Sequence, residues 1–553
     1  MVNHDSRSQV LALGDYAEVV HDRLDRWQEE DFGRRLWAKD PTLWSAEPQP
    51  ELTDRLGWLT LHETMRSKLP AWRALADGVR REGFRHVVLL GMGGSSLAPE
   101  VYQRTFGNAP GHPELLVLDS THPDAVRTVG DHIEAAKTIF VVSSKSGGTL
   151  ETMSGFRYFW AVVNEATATP GAHFVAVTDP GSSLETVATD RGFRAVFHAP
   201  ADVGGRYSAL TDFGLVPASL IGVDPEKLLD RAAVIAEATG PSVAAPDNRA
   251  LQLGAAMGEL ALAGRDKITF IVSPALAAFP DWVEQLIAES TGKDGKGIVP
   301  VAGEMLRTPD GYGSDRFFVY LSLDGDQDET QVAAMQELQQ AGHPVARIKL
   351  EDRYDLAAEM FGAEMAVAAA GAVLGIHPFN QPDVQLAKTL ANEAMEGTGD
   401  QGEPPLEIAS GDVESMADHA KAWLSTVQPG DYLAVQAYLP MSASVGTYLH
   451  SIRGDLQHRF RMATTVGYGP RFLHSTGQLH KGGPAGGLFL QIVDEPDHDL
   501  TVPETDYTFG QLIAAQSVGD YRAMRQRHRR VLRVNLGGNQ AQGLAALRVA
   551  LRD

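Results

Sequence analysis

A short segment of the chain, SSKSGGT, combines hydroxyl groups with one positive charge. It follows the β-rich run TIFVV, so Ser144, Lys145, Ser146 and Thr149 stand between a predicted strand and a predicted helix. A phosphomonoester dianion needs several donors at once, and a helix N-terminus adds free N–H groups and the positive end of the helix dipole. An ordinary Ser- or Thr-capped helix beside a surface lysine would not need so many hydroxyl groups. The segment therefore predicts a phosphate-binding loop, and because it lacks the spacing of a Walker A motif, a nucleoside triphosphate is not indicated.

A glycine-rich turn, GMGGSS, begins at Gly91 and follows the apolar run HVVLL. Glycines let backbone N–H groups approach an anion or a sugar closely, which makes Gly94 and Ser95 candidates for substrate binding. Tight packing of a strand against a helix produces the same glycine pattern. The turn alone does not separate the two interpretations.

Together these motifs, on neighbouring strands, resemble those of sugar isomerase (SIS) domains, which bind phosphorylated sugars. Downstream, Gly204–Ser208 reads GGRYS and resembles a signature of the phosphoglucose isomerase family. The resemblance implies that Gly205 and Arg206 belong to the substrate site, where an always-charged guanidinium can stabilise negative oxygen. Without the resemblance, a structural arginine in an ion pair is the preferred interpretation of Arg206.

The segment FPDWVEQLIAESTGKDGKGIVP resembles the stretch that carries the catalytic glutamate of this family, here Glu289. Converting an aldose into a ketose moves a proton from C2 to C1 through a cis-enediol, which one carboxylate can do from a single side. Gln285 lies one helical turn before Glu289 and matches the family's site glutamine, whereas Glu284 points elsewhere. We expect Glu289 in a cleft, with a raised pKa if desolvation dominates and a near-normal pKa if Arg206 and Lys388 neutralise it.

The segment HPFNQPDVQLAK resembles the family motif FDQxGVExxK and aligns Gln381 and Lys388 with functional positions. Its ammonium group lets Lys388 donate to the ring oxygen or to hydroxyls and stabilise charge on the enediolate. A plain lysine on a helix surface is the alternative. Three neighbours depart from the motif, namely Asn380, Asp383 and Gln385 in place of Asp, Gly and Glu.

The segment LHSTGQ resembles the motif with the family's ring-opening histidine, here His474. An imidazole titrates near neutrality and can move a proton between the ring oxygen and the C1 hydroxyl. Most family members place this histidine before the lysine motif, but here it follows Lys388, as in the isomerase part of transaldolase/phosphoglucose isomerase fusion proteins. Because the order differs, His377 and His480 stay open as alternatives. Only ninety residues precede the glycine turn, so a transaldolase activity is not expected.

The elements that must hold these residues follow from the apolar pattern. The first eighty or so residues show apolar positions at three- and four-residue spacing, which predicts helices. Short β-rich runs then alternate with helix-length segments, first at His86, Glu114, Thr138 and His173, and again at Lys267, Arg316 and His343 before an alanine-rich helix near 355–374. This alternation predicts parallel sheets covered by helices.

We therefore predict an α/β fold with two SIS domains, each a mainly parallel sheet between helices, with helical N-terminal and mixed C-terminal additions. The predicted divisions are a helical segment at 1–80, a phosphate-binding first domain at 81–240, a second domain with the catalytic glutamate at 250–396, and a C-terminal region with LHSTGQ at 405–553. The basic stretch Arg522–Arg533 is interpreted as a solvated helix face without an assigned function.

Composition excludes several functional classes. The net charge of −23 argues against binding to nucleic acid or an anionic membrane. No apolar run reaches the roughly 20 residues that cross a bilayer and no secretion signal is seen, so a cytoplasmic protein is expected. The chain has no cysteine, which excludes disulfides and thiolate chemistry. No metal site or cofactor is expected, since no His/Asp/Glu cluster with ligand spacing appears.

Two further points follow from the resemblance. Many family enzymes supply the histidine across a dimer interface, which raises a homodimer as an expectation. A bifunctional phosphoglucose/phosphomannose isomerase, with room near Thr211 for the C2 epimer, stays open as an alternative. A sugar-phosphate-binding regulator without chemistry would not need Glu289, Lys388 and His474 together.

Overall fold

Strands and helices alternate along most of the chain, as the apolar runs predict. The computed structural model describes residues 9–396 and 407–552. Within these ranges the strands form three five-stranded sheets, called here the first, second and third sheet. Each sheet with its flanking helices is called a unit. The predicted α/β fold, with parallel sheets flanked by helices, is confirmed.

The first sheet is entirely parallel, with strand order β3-β2-β4-β5-β6. Its central strands are runs of Val, Leu, Ile and Phe that are buried because helices cover both faces of the sheet. The strands are β2 (His86–Gly91), β3 (Glu114–Leu118), β4 (Thr138–Ser143), β5 (Phe174–Thr178) and β6 (Ala195–His198), and the helices are α5 (Leu97–Phe106), α6 (Pro123–His132), α7 (Leu150–Ala166) and α8 (Ser183–Asp190).

The second sheet has the order β1-β10-β9-β7-β8, in which β1 is antiparallel to its neighbour and the other pairs are parallel. The N-terminal segment, predicted to be helical, thus also supplies an edge strand. The strands are β1 (Gln9–Ala12), β7 (Lys267–Val272), β8 (Val299–Val301), β9 (Arg316–Leu323) and β10 (Val345–Leu350), and the helices that follow them are α12 (Phe279–Thr291), α13 (Glu329–Gln340), α14 (Asp355–Leu374) and α15 (Val384–Glu396).

Helix α14 is a core element of the second unit. Its alanines let neighbouring helices approach closely, and it is apolar on nearly every face. In the part of the chain that the structure describes, it is the one helix long and apolar enough to cross a membrane, but 83% of its most apolar window is buried inside the protein. The helices of the N-terminal and connecting segments are α1 (Ala17–Glu29), α2 (Phe32–Trp37), α3 (Leu61–Thr64), α4 (Leu69–Arg81), α9 (Asp212–Leu220), α10 (Pro225–Ala238) and α11 (Arg249–Leu262).

The C-terminal region, expected to be mixed, forms a third parallel sheet with order β11-β15-β14-β12-β13. The strands are β11 (Ile408–Ala409), β12 (Tyr432–Tyr438), β13 (Ala463–Tyr468), β14 (Gly487–Val493) and β15 (Arg530–Asn535), and the helices are α16 (Val413–Leu424), α17 (Ala443–Phe460), α18 (Gly477–Gly482), α19 (Phe509–Gln526) and α20 (Gln540–Arg552).

The basic stretch near the C-terminus is not a single solvated helix. Helix α19 ends at Gln526 and β15 begins at Arg530, so the earlier interpretation is wrong. Arg529 and Arg533 are buried, and the Arg533 guanidinium donates to Glu407 over 2.8 Å. These arginines therefore tie the third unit together. The domain boundaries given above stay predictions.

The three sheets share one local arrangement. Strands β2, β7 and β12 each lie between the two strands that follow them in the chain. In parallel sheets of this kind, the point where successive connections leave in opposite directions opens a crevice at the carboxyl ends of the strands. The loops after β2, β4 and β13 leave such ends, and they carry the glycine turn, the SSKSGGT loop and His474.

Candidate active site

Glu289 lies near the end of α12 and is only 4% exposed. Its Oε2 accepts a hydrogen bond from Nη1 of Arg206 over 3.2 Å. Burial raises the pKa of the Glu289 carboxyl above its ordinary value, and the charges of Arg206 and His474 oppose this rise without cancelling it. Of the two outcomes weighed from the sequence, the raised pKa is the one that the structure supports.

Arg206 is held by four acceptors at once. Besides Glu289, its Nε donates to Ser290 Oγ over 2.8 Å, and its Nη2 donates to the backbone carbonyls of Pro378 and Asn380 over 2.6 and 3.1 Å. The side chain is 3% exposed. A planar guanidinium can satisfy this set because its donors form a rigid fork. Arg206 thus fixes the catalytic helix against the segment that leads to Gln381.

The glycine turn after β2 packs against two other turns of the site. A Cβ on Gly94 would lie 2.0 Å from the carbonyl oxygen of Gly205, and a Cβ on Gly93 would lie 2.5 Å from the carbonyl oxygen of His474. Gly93 also has a positive φ of 55°, which a side chain disfavours. Close packing therefore accounts for these glycines. Ser95, the other residue expected here to bind substrate, is 8% exposed.

His474 connects the third unit to the other two. Its Nε2 lies 2.9 Å from Oε1 of Glu151 at the start of α7, and its carbonyl oxygen accepts a hydrogen bond from Gln285 Nε2 over 2.8 Å. Glu151 is buried, which raises its pKa, but the charge and hydrogen bond of His474 bring the pKa of Glu151 below its ordinary value. The pair is therefore an ionised carboxylate against an imidazole.

The other two histidines considered for ring opening have structural surroundings. Burial lowers the pKa of His480 well below its usual value, and its Nδ1 contacts Gln436 over 3.0 Å. His377 contacts the carbonyl of Pro50 through Nε2 and accepts from backbone N–H groups through Nδ1. Neither of them lines the cavity described next.

A cavity of about 210 Å³ opens beside His474. Its wall includes Ser146 and Thr149 of the SSKSGGT loop and Lys388 of α15. The N-terminus of α7 borders the same space, which favours an anion there. Glu289 does not line this cavity, but His474 does, and the carbonyl of His474 accepts a hydrogen bond from Gln285, one turn before Glu289 on α12.

The remaining predicted residues are placed as follows. Ser144 accepts from the backbone N–H of Gly147 and contacts Thr149 Oγ1 over 2.9 Å, so it shapes the loop. Lys145 donates to Asp179 over 2.6 Å and does not line the cavity. Gln381 is exposed, and so is Lys388. Thr211, considered for the C2 epimer, is fully buried and caps α9.

Sequence reasoning missed two side chains of the site. Glu151 directly follows the SSKSGGTL segment, and this position was the available signal. Gln516 of α19 lines the cavity and donates to Glu151 Oε1 over 2.7 Å. It lies 365 residues from Glu151 in the chain, and no motif marks it.

One group of metal-binding side chains occurs among the described residues, but it lies elsewhere. Donor atoms of His86, Glu114 and His132 come within 4.8 Å of one another. They stand at the amino ends of β2 and β3 and at the end of α6, whereas the site is at the carboxyl ends of the strands. The cluster therefore plays no part in the site described above.

The comparisons with known proteins agree with this geometry. Residues 60–305 match the family model for phosphoglucose isomerase. A glucose-6-phosphate isomerase of Rubrobacter xylanophilus is 30% identical over 429 residues, which cover 66% of this chain and 93% of that protein. A probable glucose-6-phosphate isomerase of Natronomonas pharaonis is 29% identical, and the match covers 66% of this chain and 95% of that protein.

Solved structures share the fold. A hypothetical protein of Thermus thermophilus aligns with a TM-score of 0.60 and 25% identity over 71% of this chain and 100% of its own. A glucose-6-phosphate isomerase of Chlamydia trachomatis aligns with a TM-score of 0.57 and 20% identity over 68% of this chain and 86% of its own. Because a relative at 30% identity is matched over nearly its whole length, the chain belongs to the phosphoglucose isomerase family.

Proposed function

We propose that this chain interconverts glucose 6-phosphate and fructose 6-phosphate, with Glu289 as the base. The observation that carries the proposal is that His474 lines the cavity of the SSKSGGT loop while its backbone carbonyl accepts a hydrogen bond from Gln285, one turn before Glu289 on α12. A six-carbon sugar phosphate anchored by its phosphate in that loop extends past His474 toward the carboxylate. The site thus offers a phosphate end and a proton-transfer end, joined by a histidine.

Ring opening comes first, because C2 is not acidic enough in the closed sugar. His474 moves the proton between the ring oxygen and the C1 hydroxyl, and the ionised carboxylate of Glu151 holds the imidazole. This pairing supports His474 over His377 and His480, neither of which lines the cavity.

Proton transfer from C2 to C1 follows. Glu289 removes the C2 proton and returns it to C1 from the same side, and a raised pKa makes the carboxylate a stronger base for this transfer than an ordinary glutamate. The enediolate that forms carries negative charge on O1 and O2. Arg206, next to Glu289, supplies the fixed positive charge that stabilises it.

The phosphate is bound by the loop and by the helix that follows it. Ser146, Gly148 and Thr149 line the cavity at the N-terminus of α7, and Lys388, which also lines it, adds a positive charge. Lys145 and Ser144 hold the loop in shape through Asp179 and Thr149. Gly94, Ser95, Gly205, Gln285 and Gln381 complete the proposed binding set.

We further propose that one chain provides the whole site. His474 comes from the third unit of the same chain, so a homodimer is not required to supply it. A cytoplasmic enzyme is also proposed, in keeping with the burial of α14 in the core.

The test is a coupled assay of the purified protein on fructose 6-phosphate and, separately, on mannose 6-phosphate. We expect turnover of fructose 6-phosphate, and a loss of about a thousandfold in kcat for Glu289→Gln, since a general base contributes about 10²–10⁴. Glu284→Gln, on the same helix, is the matched control and keeps near-normal kcat.

Fructose 6-phosphate should still bind to Glu289→Gln. If the wild type binds fructose 6-phosphate without turning it over, the protein would be a sugar-phosphate-binding regulator and not an enzyme. Near-normal turnover by Glu289→Gln would exclude this residue as the base. Equal turnover of mannose 6-phosphate would identify the bifunctional alternative.

A further inference from the structure

Helix α19 of the third unit places one amide side chain against the proposed ring-opening pair. Gln516 is 5% exposed, lines the cavity and donates through Nε2 to Oε1 of Glu151 over 2.7 Å. The same carboxylate oxygen lies 2.9 Å from Nε2 of His474. One oxygen of Glu151 therefore meets both the imidazole and the amide.

Thr121 determines which way the Gln516 amide faces. Its Oγ1 donates to Gln516 Oε1 over 2.7 Å, and Thr121 is fully buried in the loop after β3. Since the amide oxygen is engaged by this hydroxyl, the amide nitrogen is turned toward Glu151. The contacts run from Thr121 through Gln516 and Glu151 to His474.

A carboxylate that accepts a single hydrogen bond can still rotate. A second donor to the same oxygen, from another helix, restricts this rotation. Hydrogen bonds to a charged acceptor in a buried site are stronger than neutral ones. Gln516 carries no charge, and its Nε2 donates to Glu151, which in turn contacts His474, so Glu151 is the link between the amide and the histidine. This property separates its role from those of Lys388 and Arg206.

We propose that Gln516 is a positioning residue for ring opening, which holds the Glu151 carboxylate in the orientation that aligns His474 with the substrate. The proposal rests on the proposed function. In this role Gln516 changes the rate of the proton transfer at the ring oxygen. Its amide is hydrogen-bonded to Thr121 and Glu151, so we expect its removal to act on this step more than on phosphate binding.

A double-mutant cycle tests this. Gln516→Met keeps the length and volume of the side chain but removes both hydrogen bonds, and Glu151→Gln removes the charge. We expect Gln516→Met to lower kcat about tenfold with KM within about twofold, and Glu151→Gln to lower kcat about a hundredfold. The double variant should lie within about twofold of Glu151→Gln alone, because Gln516 has no other route of action.

Gln526→Met, the same change at the exposed end of α19, is the matched control and should leave kcat unchanged. Thr121→Val should lower kcat in the same direction as Gln516→Met but less. Losses that multiply in the double variant, or a Gln516→Met effect confined to KM or to thermal stability, would overturn the proposal. Absence of isomerase activity in the wild type would instead refute the proposed function, so the two failures are distinct.

Discussion

The strongest test of the site is whether one chain contains all of it. Glu289→Gln removes the base and His474→Gln removes the ring-opening group. In the structure His474 lines the cavity and contacts Glu151 through its side chain, and its backbone carbonyl accepts a hydrogen bond from Gln285, one turn before Glu289 on α12. If each chain uses its own histidine, a mixed assembly of the two variants contains no intact site.

The expected magnitude follows from counting sites. In a homodimer that shares histidines across its interface, a one-to-one mixture of the variants forms about half mixed dimers, and each of these regains one native site of two. Activity would then recover to about a quarter of the wild-type value. With the histidine supplied within the chain, recovery stays at the level of the separate variants.

The assay uses co-expressed variants with two different tags. Mixed assemblies are purified through both tags and glucose 6-phosphate formation is coupled to its oxidation. Because only mixed assemblies are retained, shared histidines would restore about half of the wild-type activity, and recovery near half would refute the argument that the third unit completes the site of its own chain. If no mixed assembly can be isolated, wild-type specific activity should be independent of protein concentration, and a fall on dilution would be the contrary result.

Two further predictions concern the turn and the base. Gly94→Ala should lower kcat by about a hundredfold, because the added Cβ would lie 2.0 Å from the Gly205 backbone and would displace the site by a fraction of an ångström or more. A Cβ on Gly205 would meet nothing within 4 Å, so Gly205→Ala should keep wild-type thermal stability. Equal losses of Tm in the two variants would contradict this reasoning. Since Glu289 acts when ionised and burial raises its pKa, kcat/KM should fall on acidification at a pH above that expected for an ordinary glutamate. Arg206→Lys, which weakens the opposing charge contact, should move this limb to higher pH in a pH–rate profile, and an unmoved limb would assign it to another group.

Much of the fold could be predicted because buried parallel strands are continuous apolar runs. HVVLL, TIFVV and KITFIV all became central strands. The third sheet was harder to predict, since β11 has two residues and β13 reads ATTVGY, which lacks a strong apolar run. The basic stretch Arg522–Arg533 predicts one helix, because its charged residues contain no turn signal that would mark the end of α19.

For the site, local motifs predicted the residues but not their partners. Glu289 and Arg206 could be named from their segments, whereas their contact depends on how α12 meets the turn before α9. The glycine turn allowed two interpretations, a ligand contact and tight packing, and its close approach to Gly205 could be found only from coordinates. Lys145 carries a charge that suits phosphate, but its ammonium group forms an ion pair with Asp179 at the end of the neighbouring strand. Such pairings are long-range and leave no periodic signal in the sequence.

The short strand β1 has a consequence for how the protein can be handled. Gln9–Ala12 covers the outer edge of β10 as an antiparallel partner. Without it, β10 would expose a row of free N–H and C=O groups that invites strand addition from another molecule. Loss of Gln9–Ala12 would thus leave the catalytic groups in place and yet open this edge to pairing with another molecule.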